Sequence, residues 1–461
     1  MNSPATLRDL FRALDFERPL DADDPADRAL YVEGMHTSEG ISPIDELRVN
    51  IEIADRPGTW LFTGHRGVGK STELRRMAHE LREKGFFVVV ADVGEYLNLA
   101  EPVKIETLLL AAVASLADGA DKLLGGSRLE ASYAQRLWGW LTSTEVTLTQ
   151  INTKLGETGF TAQLKENPDF RLKVQQALEA SPGTWFKNVK AFVAQLVDDV
   201  RKQRGEQAQV VLILDSPERL RVTGADAGVC YDAIQRTFDV NGQYLKLEHL
   251  HVVYSVPPYL PFLSPRIGAY SGVEICKLPH VKVFVTPDFD RGTQAAQAHA
   301  PGIALLVQSV RRRYAQVEQV LPLAVLERLA LVSSGSVRDF FRLVRSVCTK
   351  ALASNAALPV NDARWPAMAE ATLRAEMPLA DEDLARLARV RETHGIALDK
   401  MENLDKVARL FDGGLVLNYR NGRDWCDVHF VLHADLPGPA ALAAAFPAVV
   451  PAPGDAGAAG T

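Results

Sequence analysis

The sequence predicts an α/β fold, a parallel sheet with helices on both faces. Three observations predict it. Strand-length and helix-length patterns alternate through residues 59–285. Several strand-length runs are apolar at almost every position, as strands covered on both faces must be. A glycine-rich loop stands between one such strand and a helix.

The elements follow in order. Ser42 before Pro43 reads as an N-cap with proline at the first helical position, opening a helix through Ile44, Leu47, Ile51 and Ile53. Thr59 to Thr63 reads as a short strand. Lys70 to Lys84 reads as a helix with Leu74, Met77, Ala78 and Leu81 on one face, ended by Gly85. Phe86 to Val93 is the next buried strand. Residues 101–200 read as largely helical, with helices at Asp169 to Ala180 and Trp185 to Arg204. Within them, Glu145 to Lys165, with Val146–Thr149 and Phe160–Leu164 on either side of a glycine-bearing middle, reads as a β-hairpin or strand-like insertion. Gln209 to Leu214 and His251 to Val256 are further apolar strands. Val281 to Val285 is expected as the last strand of the sheet, with Val273 to Cys276 a weaker candidate.

Residues 292–376 return to helical periodicity, with an amphipathic helix at Leu321 to Val332 and another opened by Ser336-Val337-Arg338. Residues 377–436 read as a small unit of two or three helices followed by strands Leu415–Tyr419 and Trp425–Val431. Asn421-Gly422 between them is a strong hairpin turn signal. Helices followed by such a hairpin suggest a winged helix. Residues 437–461, rich in Ala, Pro and Gly, read as a disordered tail. The expected organisation is therefore an N-terminal segment at 1–41, a core at 42–291 carrying an insertion near 101–200, a helical lid at 292–376, the small unit at 377–436 and the tail.

Composition excludes several classes. The 461 residues carry a net charge of −7, with 47% hydrophobic and 24% charged residues. A mildly acidic globular chain is not built as a bulk nucleic-acid binder. The four cysteines, Cys230, Cys276, Cys348 and Cys426, are widely spaced and form no CxxC pair. They offer neither a disulfide framework nor a zinc site, and reduced thiols of a cytoplasmic protein fit them. Met1-Asn2-Ser3-Pro4 leads into no apolar core and is not read as a secretory leader. No apolar run approaches the ~20 residues of a membrane span.

The chemistry concentrates in Gly64-His65-Arg66-Gly67-Val68-Gly69-Lys70-Ser71, which satisfies G-x4-G-K-[ST] and is followed by Thr72. The glycines let backbone N–H groups close on phosphate oxygens, and the next helix points its positive N-terminus at the same anion. Lys70 supplies an ammonium for the β- and γ-phosphates, and the Ser71 hydroxyl a ligand for Mg²⁺. His65 reads as a loop-tip residue. Asp215 closes the strand Val210-Val211-Leu212-Ile213-Leu214 and is placed to hold the magnesium shell. Glu218, in Asp215-Ser216-Pro217-Glu218-Arg219-Leu220, reads either as the acid that polarises an attacking water or as a surface acid paired with an arginine. Ser255, at the end of its strand before Pro257-Pro258, can orient water or phosphate. Arg338, at the start of a lid helix, reads either as an arginine that reaches back to the γ-phosphate or as one solvated arginine among several, with Arg342 and Arg345. Arg236 and Arg266 are alternatives for an arginine offered to a neighbouring subunit.

These residues resemble an AAA+-type ATPase, from the wing that includes the STAND signalling ATPases and the origin-recognition ATPases. The matching pieces are the loop through Thr72, Leu212-Ile213-Leu214-Asp215 with Glu218-Arg219-Leu220, Tyr254-Ser255-Val256-Pro257, and Gly335 with Arg338, within residues 30–436. The longer string through Glu73-Leu74 is similar to a group of bacterial ATPases found beside partner effector genes. The resemblance implies Mg-ATP as cofactor, the whole stretch from Gly64 to Thr72 as its cradle, Ser255 as first sensor, Arg338 as second, and Tyr31-Val32 near the adenine. Such ATPases usually carry an acid directly after the aspartate, and this chain has Ser216 there; slow hydrolysis is the corresponding expectation. The function expected is a nucleotide-driven switch for a protein partner or effector, in signalling or antiviral defence, with homo-oligomers open. The alternatives are a DNA loader or remodeller and an inactive ATP-binding scaffold. Residues 377–436 hold eight Lys/Arg against eleven Asp/Glu, so charge favours protein contact over DNA.

Overall fold

The computed structural model describes residues 6–97, 102–124, 132–144, 160–180, 182–215, 227–263, 267, 275–287, 297–377, 379–396 and 404–436. At its centre lies a parallel five-stranded sheet: β1 (Thr59–Gly64), β2 (Phe87–Asp92), β3 (Val210–Asp215), β4 (His251–Val256) and β5 (Cys276–Leu278). Their order across the sheet is β5-β1-β4-β3-β2. β4 thus lies between β1, which feeds the glycine loop, and β3, which ends in Asp215. This is the α/β, P-loop NTPase class of fold that the sequence predicts, with helices on both faces of a parallel sheet.

Side-chain alternation sorts the strands onto two cores. Trp60, Phe62, Val88, Val211, Ile213 and Val253 face one side, where they meet Leu74, Met77 and Leu81 of the helix Lys70–Glu83 and Ile44, Leu47 and Ile51 of the helix Pro43–Ile53. Leu61, Phe87, Val89, Leu212, Leu214, Val252 and Tyr254 face the other side. There they are covered by the helix Ile105–Leu124, buried along most of its length, and by Pro182–Arg204 behind it. Because both faces are dry, the strands carry almost no polar residue until their last positions.

A third core joins Leu7 and Leu10 of the first helix, Leu7–Ala13, to the helices Ala300–Arg313, Leu323–Val332 and Val337–Ala353 and to the C-terminal elements. The latter are the helices Asp381–Thr393 and Leu404–Asp412 and an antiparallel hairpin of β6 (Val416–Asn421) and β7 (Arg423–Val428). Asn421-Gly422 forms its turn, with Gly422 at positive φ.

Two expectations are corrected. Phe160 to Leu164 is not a strand but part of the helix Phe160–Glu166. Phe160 and Leu164 lie four residues apart and so share one helical face, where Phe160 stacks on Trp138 and meets Phe170 edge-on. The other half of the expected hairpin, like the 437–461 tail, lies outside the described residues. The last sheet strand is β5, not Val281–Val285. That segment bonds elsewhere: Val281 N donates to Gly335 O at 3.1 Å, Val285 N to Gln297 O at 2.9 Å, and Val283 O accepts from His299 N at 2.8 Å. Val281 and Val283 are buried while Val285 is exposed, so its alternation is real but serves a different partner. Among the described residues no helix is long and apolar enough to cross a membrane.

Candidate functional site

The glycine loop closes at the carboxyl edge of the sheet, where open α/β sheets carry their ligands. Gly67 and Gly69 take φ of 85° and 110°, a left-handed backbone that only glycine adopts without strain. Gly67 has a second reason: a Cβ there would sit 2.7 Å from the Cβ of Arg338. Val68 is anchored in the core between the two glycines. Lys70, nearly buried, donates its ammonium to Gly64 O at 2.7 Å and His65 O at 3.0 Å. Ser71 is half-buried and Arg66 exposed. The Thr72 hydroxyl accepts from Leu20 N at 3.2 Å, tying the N-terminal segment to the loop helix. Glu73 follows in the first helical turn, where a carboxylate suits the positive end of the dipole, and it accepts from the Tyr31 hydroxyl and from Arg76.

Across the strand ends runs a polar row. Phe62 is in register with Ser255, and Asp215 with Asp92; Asp215 and Ser255 lie one position beyond the pair Leu214 and Tyr254. By two-residue periodicity, Asp92, Asp215 and Ser255 continue the face that carries Val90, Ile213 and Val253, the face covered by the loop helix. Ser255 is fully buried and Asp215 almost so. Sequence reasoning found Asp215 and Ser255 and passed over Asp92, inside a run read only as apolar. The parity of Val88, Val90 and Asp92 matches that of Val211, Ile213 and Asp215, but the match becomes visible only once the two strands are set in register.

Arg338 comes to the loop. Its backbone N donates to Gly67 O at 3.2 Å, and Ser336 caps the same helix by accepting from Asp339 N at 3.3 Å. Arg342 instead pairs with Asp339 and Glu376, and Arg345 stacks on Phe11 and Phe16. Arg236 is exposed on the π-helical turn Arg236–Val240. Ser216, Glu218 and Arg266 lie outside the described residues.

His65 is not a loop tip. Its ring is buried, with the His280 ring centroid 4.8 Å away and that of Phe411, from the helix Leu404–Asp412, stacked at 5.2 Å. Phe262 stacks on the other side of Phe411 at 5.1 Å. Burial first, then the neighbouring His280 and the Lys70 ammonium, hold the His65 imidazole well below its ordinary value. Burial also drives His280 and His429 each down to about 3. All three are neutral at physiological pH. The position of His65 in the motif carries no sign of this, because its partners lie more than 200 residues away in sequence.

No family model matches the chain, and no curated protein matches it in sequence. Among solved structures it is similar to the ORC2 protein of Aeropyrum pernix, at 13% identity over 92% of this chain and 94% of that one, with a TM-score of 0.39. It is also similar to a Walker-type ATPase of Pyrococcus abyssi, at 12% identity over 92% and 99%, TM-score 0.41. A third is the RuvB Holliday junction branch migration motor of Thermotoga maritima, at 15% over 92% and 100%, TM-score 0.37. At these scores the likeness carries no argument, and the fold rests on its own strand order and register.

Proposed function

We propose that the chain is a cytoplasmic AAA+-type ATPase that binds Mg-ATP in the loop 64–71 and works as a nucleotide-driven switch for a protein partner. The observation that carries this reading is where the loop sits. Gly67 O is bonded to the first turn of the lid helix Val337–Ala353, and His65 is stacked on Phe411 of the C-terminal unit. A loop that rearranges around phosphate cannot do so without being felt in both.

The residues fit the group. The left-handed Gly67 and Gly69 leave a cradle without Cβ atoms, Lys70 lies over it, and the buried Asp215 stands on the loop-helix face. In this reading Lys70 exchanges its two loop carbonyls for the β- and γ-phosphates. Backbone N–H groups from Gly64 to Thr72 bind phosphate oxygens. Ser71 and Asp215 hold Mg²⁺, which would neutralise charge developing on the phosphates. Ser255 orients the attacking water, and Arg338, beside Gly67, reaches the γ-phosphate.

We read 377–436 as a winged helix turned inward. Gly422 N, at the hairpin tip, donates to Ser38 Oγ at 3.1 Å, and Lys277 pairs with Asp424 at 2.8 Å. A tip docked on its own core, in a unit of net negative charge, supports a protein-contact or autoinhibitory role over DNA loading. Exposed Arg236, with exposed Val229 and Val240 on the same stretch, supports assembly with further copies. The similarity of the 64–74 string to effector-associated ATPases supports a setting in bacterial signalling or antiviral defence.

The test combines titration with a fluorescent ATP analogue and hydrogen exchange. Wild type is expected to bind in the presence of Mg²⁺ and Lys70→Ala to lose at least tenfold in affinity. Nucleotide is expected to raise exchange across 404–436. Equal binding by Lys70→Ala, or exchange at 404–436 indifferent to nucleotide, overturns the reading.

A further inference from the structure

We infer that Asp92 is the general base of hydrolysis, the acid whose usual position is held by Ser216. The inference rests on the nucleotide reading above and adds a residue to the same site.

β2 and β3 pair from Phe87 with Val210 through Asp92 with Asp215, so the two carboxylates end neighbouring strands at the same level. Adjacent strands lie about 4.8 Å apart, and register partners in a parallel pair point to the same face. That face is the one on which Val88, Val211 and Val253 meet Leu74 and Met77 of the loop helix. Asp92 is therefore on the phosphate-loop side of the sheet, in line with Asp215 and Ser255. Asp215 is nearly buried while Asp92 is half-exposed. That difference suits two tasks, a fixed shell for a cation and a carboxylate that a water can approach.

Asp92 is also positioned. One oxygen accepts from Gly94 N at 2.9 Å, capping the short turn Val93–Glu95 and setting the carboxylate's direction. The next residue, Tyr96, donates to Asp118 at 2.8 Å, and Lys165 bridges Asp118 at 2.8 Å and Glu95 at 3.0 Å. The segment carrying Asp92 is thereby tied to the inserted helices as well as to the sheet.

The step balances as follows. A water oxygen forms a bond to the γ-phosphorus as the bond from that phosphorus to the β,γ-bridging oxygen breaks, and ADP keeps the bridging electron pair. The proton leaving the water passes to the Asp92 carboxylate and then to the phosphate released, which restores the carboxylate.

The experiment measures ATP turnover and nucleotide affinity in the full chain for wild type, Asp92→Asn, Asp92→Glu, Glu218→Gln and Lys70→Ala. Asparagine keeps the cap to Gly94 N and removes only the base. Asp92→Asn is expected to bind nucleotide within threefold of wild type, to keep the same Tm, and to lose turnover by roughly 10²–10⁴-fold, the usual contribution of a general base. Asp92→Glu and the double variant Asp92→Asn with Ser216→Glu are expected to recover part of it, the latter by placing an acid directly after Asp215. Glu218→Gln is expected to lose less turnover than Asp92→Asn. Turnover by Asp92→Asn within threefold of wild type overturns the inference, as does a loss confined to Glu218→Gln. A wild type that binds nucleotide without turnover overturns it too. Loss of nucleotide binding by wild type is a separate result, the failure of the nucleotide reading itself.

Discussion

The two sides of this molecule are joined to the central sheet in different ways. Beneath the sheet, the helix Ile105–Leu124 packs on β2 and β3 within one apolar cluster, with Gly119 lying directly against Val89. Above the strand ends, where core, lid and C-terminal unit meet, hydrogen bonds and neutral rings stand beside the apolar contacts. The backbone N and the Nδ1 of His280 both donate to Asn418 O, at 2.9 and 3.1 Å. Tyr419 donates to Ser334 O at 2.7 Å, Phe430 N to Ser334 Oγ at 2.8 Å, and His65 stacks on Phe411. The dry seam is favourable in proportion to area and has no alternative partner. The polar seam can exchange each bond for one with water at little net loss. One is suited to holding, the other to parting.

Breaking the dry seam gives the largest expected effect. Leu110→Ala, at a fully buried site, is expected to cost about 3–5 kcal/mol in urea unfolding while leaving nucleotide affinity unchanged in the molecules that remain folded. Gly67→Ala acts on the other side: positive φ and the approach of Arg338 strain the loop by about 1–3 kcal/mol, and analogue titration is expected to show at least tenfold weaker binding with near-normal unfolding. Acid sharpens the comparison. His280 and His429 titrate near 3 when folded and near 6.5 when unfolded, so the stability tied to their neutral forms is fully present above pH 6.5 and is lost as pH falls toward 3. Each contributes up to about 1.4 kcal/mol per pH unit in that window, and His280→Phe is expected to flatten the fall in urea midpoints between pH 6.5 and 4. Tyr419→Phe, which removes one seam hydrogen bond, is expected to cost about 1 kcal/mol and to raise hydrogen exchange around Ser334.

What was legible in the sequence follows the range of the forces involved. The loop 64–71, the helix from Lys70, the strand ending in Asp215 and the turn at Asn421-Gly422 are set by neighbours in the chain, and their spacing announced them. Phe160–Glu166 was misread because a five-residue window of Phe, Thr and Leu fits either period. β5 was misplaced because Cys276–Leu278 is a strand only by virtue of β1 beside it, while the better pattern at Val281–Val285 answers to Gly335 and residues 297–299. Asp92 and His65 were invisible in the same way. One draws its meaning from the register between β2 and β3, the other from rings contributed by residues 280 and 411. The roles of Lys70, Ser71, Asp215, Ser255 and Arg338 stay with the experiments proposed; the structure brings Lys70, Asp215, Ser255 and the Arg338 backbone to one edge of one sheet.

The ammonium of Lys70 rests on Gly64 O and His65 O, the carbonyls of its own loop. On the nucleotide reading proposed above, a triphosphate would meet a competitor already in place, so its affinity would be the difference between two charge-assisted arrangements and not the whole strength of one. The same carbonyls would take the ammonium back as phosphate departs, giving product release a driving partner within the loop itself.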